Sequence, residues 1–67
     1  MMIRYFELDG TVFRRLDTGF ELRAERFDPA SHEWVDDPSF IHLLAEGAPG
    51  AVTIDETRAA ELTAVPV

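Results

Sequence analysis

A chain of 67 residues without a single cysteine has to hold its fold together with one small apolar core. A domain of this length buries only about 60% of the surface that its unfolded chain exposes, so its margin of stability is thin. Small domains usually compensate with disulfides, a metal or a partner subunit, and the missing cysteine excludes disulfides and thiolate metal sites. We therefore predict a single domain over residues 1–67 that leaves apolar surface for another molecule, or a second copy, to cover.

The first half of the chain has the pattern of antiparallel strands. Asp9 and Gly10 form a dipeptide that tolerates positive φ, and they separate two apolar runs at residues 2–8 and 11–16. Such a dipeptide between two apolar runs is typical of a β-hairpin. With the runs that follow, the sequence predicts a three- or four-stranded antiparallel meander over about residues 2–35.

The third run, residues 20–27, alternates between apolar and charged side chains. Phe20, Leu22 and Ala24 share one face of this predicted strand, because successive side chains of a strand point to opposite faces. After a turn with an Asp-Pro start, residues 32–35 are expected to form a short fourth strand.

The register of the first hairpin stays open at this point. A slip by one residue would exchange the two faces of the sheet. Two sets of side chains compete for the covered face: Ile3, Tyr5 and Phe13 against Met2, Phe6, Leu8 and Val12. Both faces of the first two strands are thus apolar, and we expect the chain's helices to cover one of them and another molecule to cover the other.

From Asp36 onward the pattern becomes helical. Asp36 or Asp37 can cap a helix whose first position is Pro38, and Gly47 supplies the left-handed residue that commonly ends a helix. The sequence therefore predicts a first helix over about residues 37–46.

A second helix is predicted over about residues 54–64. Residues 53–56 match a capping box, in which a threonine and a glutamate each bind a free backbone N–H of the first turn. The apolar stripe of this helix is narrow and consists of Ile54, Leu62 and Val65. The fold class is α+β: an antiparallel meander followed by two short helices that cover one face of the sheet.

The net charge of −7 comes entirely from the second half of the chain. Residues 1–27 balance five acids against five arginines, whereas residues 28–67 hold eight acids and a single arginine. Such a surface repels phosphate backbones and anionic lipids, so we expect no direct binding to nucleic acid or membrane. The acids either form a solvated face or recognise a basic partner, and both interpretations remain open.

The expected location is the cytoplasm. The longest apolar stretches fall far short of the roughly 20 residues that cross a bilayer, and the N-terminus lacks the pattern of a signal peptide. The absence of cysteine suits a reducing compartment. All six basic residues are arginine, which favours a bacterial or phage origin.

Few residues could carry chemistry. Metal-ligating types cluster within eleven residues, but they follow no known metal-site spacing: His32, Glu33, Asp36, Asp37 and His42. The sequence contains no glycine-flanked serine elbow and no glycine-rich phosphate loop. We therefore expect no catalytic residue, no cofactor and no bound metal, and we predict that the protein is not an enzyme.

Residues 25–38 resemble the second hairpin of a WW domain. Phe27 matches the aromatic residue before the turn, and Trp34 with Pro38 matches the closing motif. The resemblance implies a groove for proline-rich peptides. It covers fourteen residues, and no tryptophan precedes it. In the alternative interpretation, Trp34 is a core aromatic that faces Phe27 or Phe20 across the strands.

The function that these observations predict is that of a small acidic accessory protein, regulatory or inhibitory, that occupies a surface of a larger protein. Seven side chains are expected to make the contact: the apolar anchors Tyr5, Phe13 and Trp34, and the acidic rim Asp36, Asp37, Asp55 and Glu56. Aromatic anchors dominate interface energetics, and a charged rim governs the encounter rate. The alternatives are a self-associating structural protein, such as a homodimer, and a nucleic-acid mimic that inhibits a basic protein.

Overall fold

The computed structural model describes residues 1–64, which form five strands and two helices. The strands are β1 (Met2–Leu8), β2 (Thr11–Asp17), β3 (Leu22–Asp28), β4 (Glu33–Asp36) and β5 (Val52–Ile54), and the helices are α1 (Ser39–Ala45) and α2 (Glu56–Thr63). All strands belong to one antiparallel sheet in the order β4-β3-β2-β1-β5. The predicted α+β class and the four-stranded meander are confirmed, and a fifth strand lies between the helices.

The first turn fixes the register that the sequence left open. Asp9 and Gly10 have φ values of 50° and 80°, as a two-residue hairpin turn with the natural strand twist requires. Phe6 consequently lies directly opposite Phe13. Because neighbours along a strand point to opposite faces, Tyr5 lies on the other side of the sheet from Phe6. The two competing sets of apolar side chains thus form two separate core layers.

The two helices cover opposite faces of the sheet, and the prediction that both cover one face is wrong. On one side, named the α1 face, Phe40 of α1 is fully buried against Phe6, Phe13 and Ala24. The reason is the route of the chain after α1, which passes the edge of β1 and pairs there as β5 before α2 begins. Crossing that edge brings α2 to the opposite side.

On that opposite side, named the α2 face, Ala59 of α2 is fully buried. It packs in one cluster with Tyr5, Val12 and Phe27, and Ile54 of β5 packs against this cluster. The small alanine side chain lets the helix backbone approach the strands closely. The central part of the sheet is apolar on both faces, and one helix of the same chain covers each face there.

The start of α1 differs from the sequence-based expectation. Pro38 occupies the N-cap position, and no side chain caps the helix, so neither Asp36 nor Asp37 has that role. Instead, Asp37 accepts a hydrogen bond from the hydroxyl of Ser39. The predicted helix end is confirmed, since Gly47 follows the helix in the left-handed region with φ of 91°.

The start of α2 also lies later than predicted. Thr53 belongs to β5, and the N-cap is Asp55, whose carboxylate accepts the N–H of Arg58 at 2.7 Å. Val65, which the sequence assigned to the apolar stripe of this helix, lies outside the described residues. No helix within residues 1–64 is long and apolar enough to cross a membrane.

The packing of α1 on the sheet gives the first testable prediction. Phe40→Ala should lower the free energy of unfolding by about 3–5 kcal/mol, because it removes a fully buried ring and leaves a cavity. Leu43→Ala, in the same helix but at a partly exposed position, should change it by less than about 1.5 kcal/mol. Urea unfolding followed by the fluorescence of Trp34 measures both. Equal effects would mean that α1 does not pack on the sheet through Phe40.

Candidate protein-binding surface

Two of the three predicted apolar anchors are covered by the chain itself. Tyr5 is only 7% exposed and lies in the cluster beneath α2. Phe13 is half-buried, and its ring stacks on Phe40 of α1 at 4.2 Å between ring centroids. The sequence-based prediction assigned these rings to a partner because it placed both helices on one face of the sheet. With one helix on each face, neither ring is presented to another molecule in this structure.

Trp34, the third predicted anchor, is a half-buried residue of the edge strand β4. It lies directly opposite Phe27, with 5.4 Å between the ring centroids, and 6.2 Å from Tyr5. The interpretation of Trp34 as a core aromatic that faces Phe27 is confirmed. Pro38, which the WW-like pattern pairs with Trp34, lies at the N-cap of α1.

A charged group covers the ring of Trp34. The guanidinium of Arg14 lies 4.4 Å from the ring centroid, within the range of a cation–π contact. Glu25, directly opposite Arg14 on β3, holds that guanidinium through a 2.6 Å ion pair. Arg14 and Glu25 are 21% and 14% exposed, so this pair is largely shielded from water. The ring surface that a proline-rich peptide would need is thus occupied by Arg14.

The four predicted rim acids lie at two opposite edges of the sheet. Asp36 and Asp37 end the edge strand β4, whereas Asp55 and Glu56 follow the other edge strand, β5. Four strand spacings, about 19 Å, separate the two pairs. They therefore do not surround one contact surface.

Three of these acids also have partners within the chain. Asp36 lies 3.7 Å from Arg23, and Asp37 lies 3.9 Å from Arg26. The carboxylate of Asp55 caps α2. Local structure thus accounts for most of the charge that the sequence suggested as a recognition surface.

Among the histidines and acids suggested as metal ligands, no cluster forms. Within residues 1–64, no group of three or more such side chains is placed to hold a metal ion. His32 lies in the turn before β4 and packs against Phe27, and His42 is exposed on α1.

One end of the sheet extends beyond both edge strands. β4 ends opposite Glu25, and β5 ends opposite Tyr5, so only β1, β2 and β3 continue past these points. We call this part, residues 1–3 and 16–23, the uncovered end. It includes the start of β1, the end of β2, the connecting loop and the start of β3.

The uncovered end carries most of the exposed apolar surface. Of the eight large apolar side chains that are exposed within residues 1–64, five lie here: Met1, Met2, Ile3, Phe20 and Leu22. Met2 and Leu22 lie together on the α1 face, and an apolar group of this kind points to an interaction site more than single exposed apolar residues do. The uncovered end is therefore the candidate binding surface.

Phe20 lies at the tip of the β2–β3 loop and is fully exposed. The loop backbone is held by hydrogen bonds: Asp17 accepts the N–H of Gly19 at 3.0 Å, and the hydroxyl oxygen of Thr18 accepts the N–H groups of Phe20 and Glu21. The ring is thus presented by an ordered loop. The alternating pattern placed Phe20 in β3, but the turn-forming side chains of residues 17–19 were the signal for a longer loop.

The turn between β3 and β4 holds an acid of lowered pKa. The carboxylate of Asp28 accepts the N–H of Ala30 at 3.0 Å. This hydrogen bond is the main cause that holds the pKa of Asp28 below its ordinary value of 3.8, and Ser31 contributes in the same direction. Because hydrogen bonds to the charged form favour it, the ionised carboxylate stabilises the turn that positions Trp34.

Comparison with known proteins does not assign this chain to a family. No family model matches it, and neither a curated protein nor a solved structure is significantly similar to it. A functional proposal therefore has to rest on the geometry and chemistry of the uncovered end.

The shielded ion pair on the α2 face yields a second prediction. Glu25→Gln should lower the free energy of unfolding by about 1–3 kcal/mol, because it leaves the guanidinium of Arg14 without its opposite charge. Glu61→Gln is the matched control, since its pair with Arg58 is more than half exposed and should contribute less than about 1 kcal/mol. Urea unfolding at low salt compares them. A Glu25→Gln variant as stable as the control would contradict this role.

A third prediction concerns the pH dependence of the β3–β4 turn. Because the pKa of Asp28 is lowered by folding, its stabilising effect should be fully present above pH 3.8 and be lost as the pH falls through the lowered value. The difference in melting temperature between the wild type and Asp28→Asn should therefore be constant at neutral pH and shrink in acid. An NMR titration of the Asp28 carboxyl group tests the cause. A measured pKa at or above 3.8 would refute it.

Proposed function

We propose that the protein is a small accessory protein that acts by binding a larger protein through the uncovered end of its sheet. The observation that carries this proposal is the fully exposed ring of Phe20 on an ordered loop. Met2 of β1 and Leu22 of β3 both lie directly opposite Asp17, one on each side of β2. The partner is a protein with an apolar pocket that receives the ring.

The energetics favour such a contact. Burying a phenylalanine ring contributes about 1.5–3 kcal/mol, and aromatic anchors that enter a pocket dominate many interfaces. Binding also costs free energy wherever it has to order a mobile segment. Hydrogen bonds already order the loop that carries Phe20, which reduces that cost.

The proposed mode of action is occupancy of a surface, without catalysis. Asp55 caps a helix, Asp28 holds a turn, and Glu25 and Asp36 form ion pairs, which accounts for these four acids structurally. An accessory, regulatory or inhibitory role is consistent with a rigid apolar projection on a small acidic body.

One observation favours self-association as a second candidate. Residues 2–4 of β1 have a strand neighbour only on the β2 side, because β5 ends opposite Tyr5. An open strand edge is a template for pairing with another chain. Sedimentation of the purified protein distinguishes the candidates, since a stable dimer at micromolar concentration would favour self-association.

The fourth prediction tests the role of Phe20. Phe20→Ser should weaken binding of the captured partner by about 30-fold, the effect of an interface anchor worth 2 kcal/mol. Val52→Ser, which alters a 59% exposed position on β5 at the opposite end of the sheet, should leave binding unchanged. Quantitative mass spectrometry of proteins bound from a lysate of the native host identifies the partner, and titration of the purified components gives the affinities.

Stability measurements accompany the binding assay. Both variants should unfold at nearly the wild-type urea concentration, since both positions are exposed. If Phe20→Ser captures the same partner with the same affinity as wild type, the uncovered end is not the contact surface.

A further inference from the structure

Two arginines of the sheet have no acidic partner. Arg4 of β1 and Arg15 of β2 lie directly opposite each other on the α1 face. The other four arginines each lie within 4 Å of a carboxylate, whereas these two form no ion pair within residues 1–64. Like charges directly opposite on neighbouring strands are destabilising. In a protein of net charge −7, such an unbalanced pair requires an explanation.

Arg15 is more than a surface charge. The residue is half-buried, and its Nε atom is inaccessible to solvent and has no hydrogen-bond partner among residues 1–64. A buried donor without an acceptor carries a free-energy cost that native proteins usually avoid. The like-charge repulsion would be relieved by one anion bound by both guanidinium groups.

Two acids, one on the same strand as Arg15 and one in the same cleft as Arg4, form no ion pair with these arginines within residues 1–64. Asp17, two residues along β2 from Arg15, accepts the N–H of Gly19 at 3.0 Å. Glu56 lines the same open cleft of about 460 Å³ as Arg4, but the two form no ion pair within the described part of the chain. Within residues 1–64, no carboxylate forms an ion pair with either guanidinium group.

We propose that Arg4 and Arg15 form a binding site for a carboxylate group of the partner protein. This inference rests on the proposed function and specifies the chemistry of the partner. Guanidinium groups bind carboxylates through paired, charge-assisted hydrogen bonds. Met2 lies two residues from Arg4 on the same face, about 7 Å along the strand, so the carboxylate site adjoins the uncovered end.

The partner surface is consequently acidic next to its apolar pocket, although the net charge of the protein suggested a basic partner. A single carboxylate fits this place better than a phosphate-rich polymer. The whole molecule, with net charge −7, repels extended polyanions. One carboxylate that contacts two arginines gains local attraction while adding only one charge.

The side-chain Nε–H signals of the arginines in NMR spectra of the full chain provide the test. The probes are a capped peptide of alternating leucine and glutamate, the same peptide with glutamine, and inorganic phosphate at equal ionic strength. The glutamate peptide should shift the Arg4 and Arg15 signals saturably and bind at least about tenfold more tightly than the glutamine peptide. Arg14, which Glu25 holds, is the internal reference and should not shift.

Three variants provide the controls. Arg4→Gln should weaken binding of the glutamate peptide at least about tenfold, and Glu56→Gln should strengthen it by removing a competing acid. Arg58→Gln, at an exposed ion pair on α2, should have no effect. A purely structural role for Arg4 would lower the melting temperature in Arg4→Gln, whereas relief of the like-charge repulsion should raise it.

Three results would overturn the proposal: no saturable shift up to about 10 mM peptide, an equal response of Arg4→Gln, or binding of phosphate as tight as that of the glutamate peptide. The last result would identify a general anion site. The outcome is separable from that of the Phe20 experiment. If Phe20→Ser retains the partner while the glutamate peptide still binds at Arg4 and Arg15, the proposed contact end fails and the carboxylate site stands.

Discussion

The structure depends on one constraint: adjacent residues of β1, Tyr5 and Phe6, begin core layers on opposite faces of a single sheet. Each layer needs a cover, and residues 1–64 contain two helices, of seven and eight residues. The short strand β5 satisfies this requirement, because it leads the chain past the edge of β1 between the two helices. Without that crossing, one apolar face would be left open to solvent.

Covering both faces limits how far the cover extends. The two short helices cover the central part of the sheet, where Phe40 and Ala59 are fully buried. β1, β2 and β3 are longer than the edge strands, and their far rows therefore remain bare. The exposed ring of Phe20 and the unpaired arginines both lie at or beside these rows. The apolar surface predicted from the small size of the chain is thus present, at the end of the sheet and not on a face.

The sequence predicted what depends on local chemistry. The turn at Asp9 and Gly10, the α+β class and the four meander strands follow from turn residues and alternation. β5 could not be predicted, because three residues of strand leave no recognisable period and its Thr53 fitted a helix cap. The candidate site was missed for a related reason. Phe20 continues the alternation of β3, and only the hydrogen bonds around Thr18 place it in the loop.

The net charge of this molecule does not describe the charge at each part of its surface. Several acids that dominate the total are committed to a helix cap, a turn or an ion pair, as Asp55, Asp28 and Asp36 show. On the α1 face, Arg4 and Arg15 form no ion pair within residues 1–64. Charges beyond about 8 Å are largely screened at physiological salt, so in the proposed complex Arg4 and Arg15 would determine the contact, while the excess of acids would act on the approach. An acidic partner would therefore be repelled during its approach and held only after contact, which makes recognition depend on close fit around Phe20 instead of on long-range attraction.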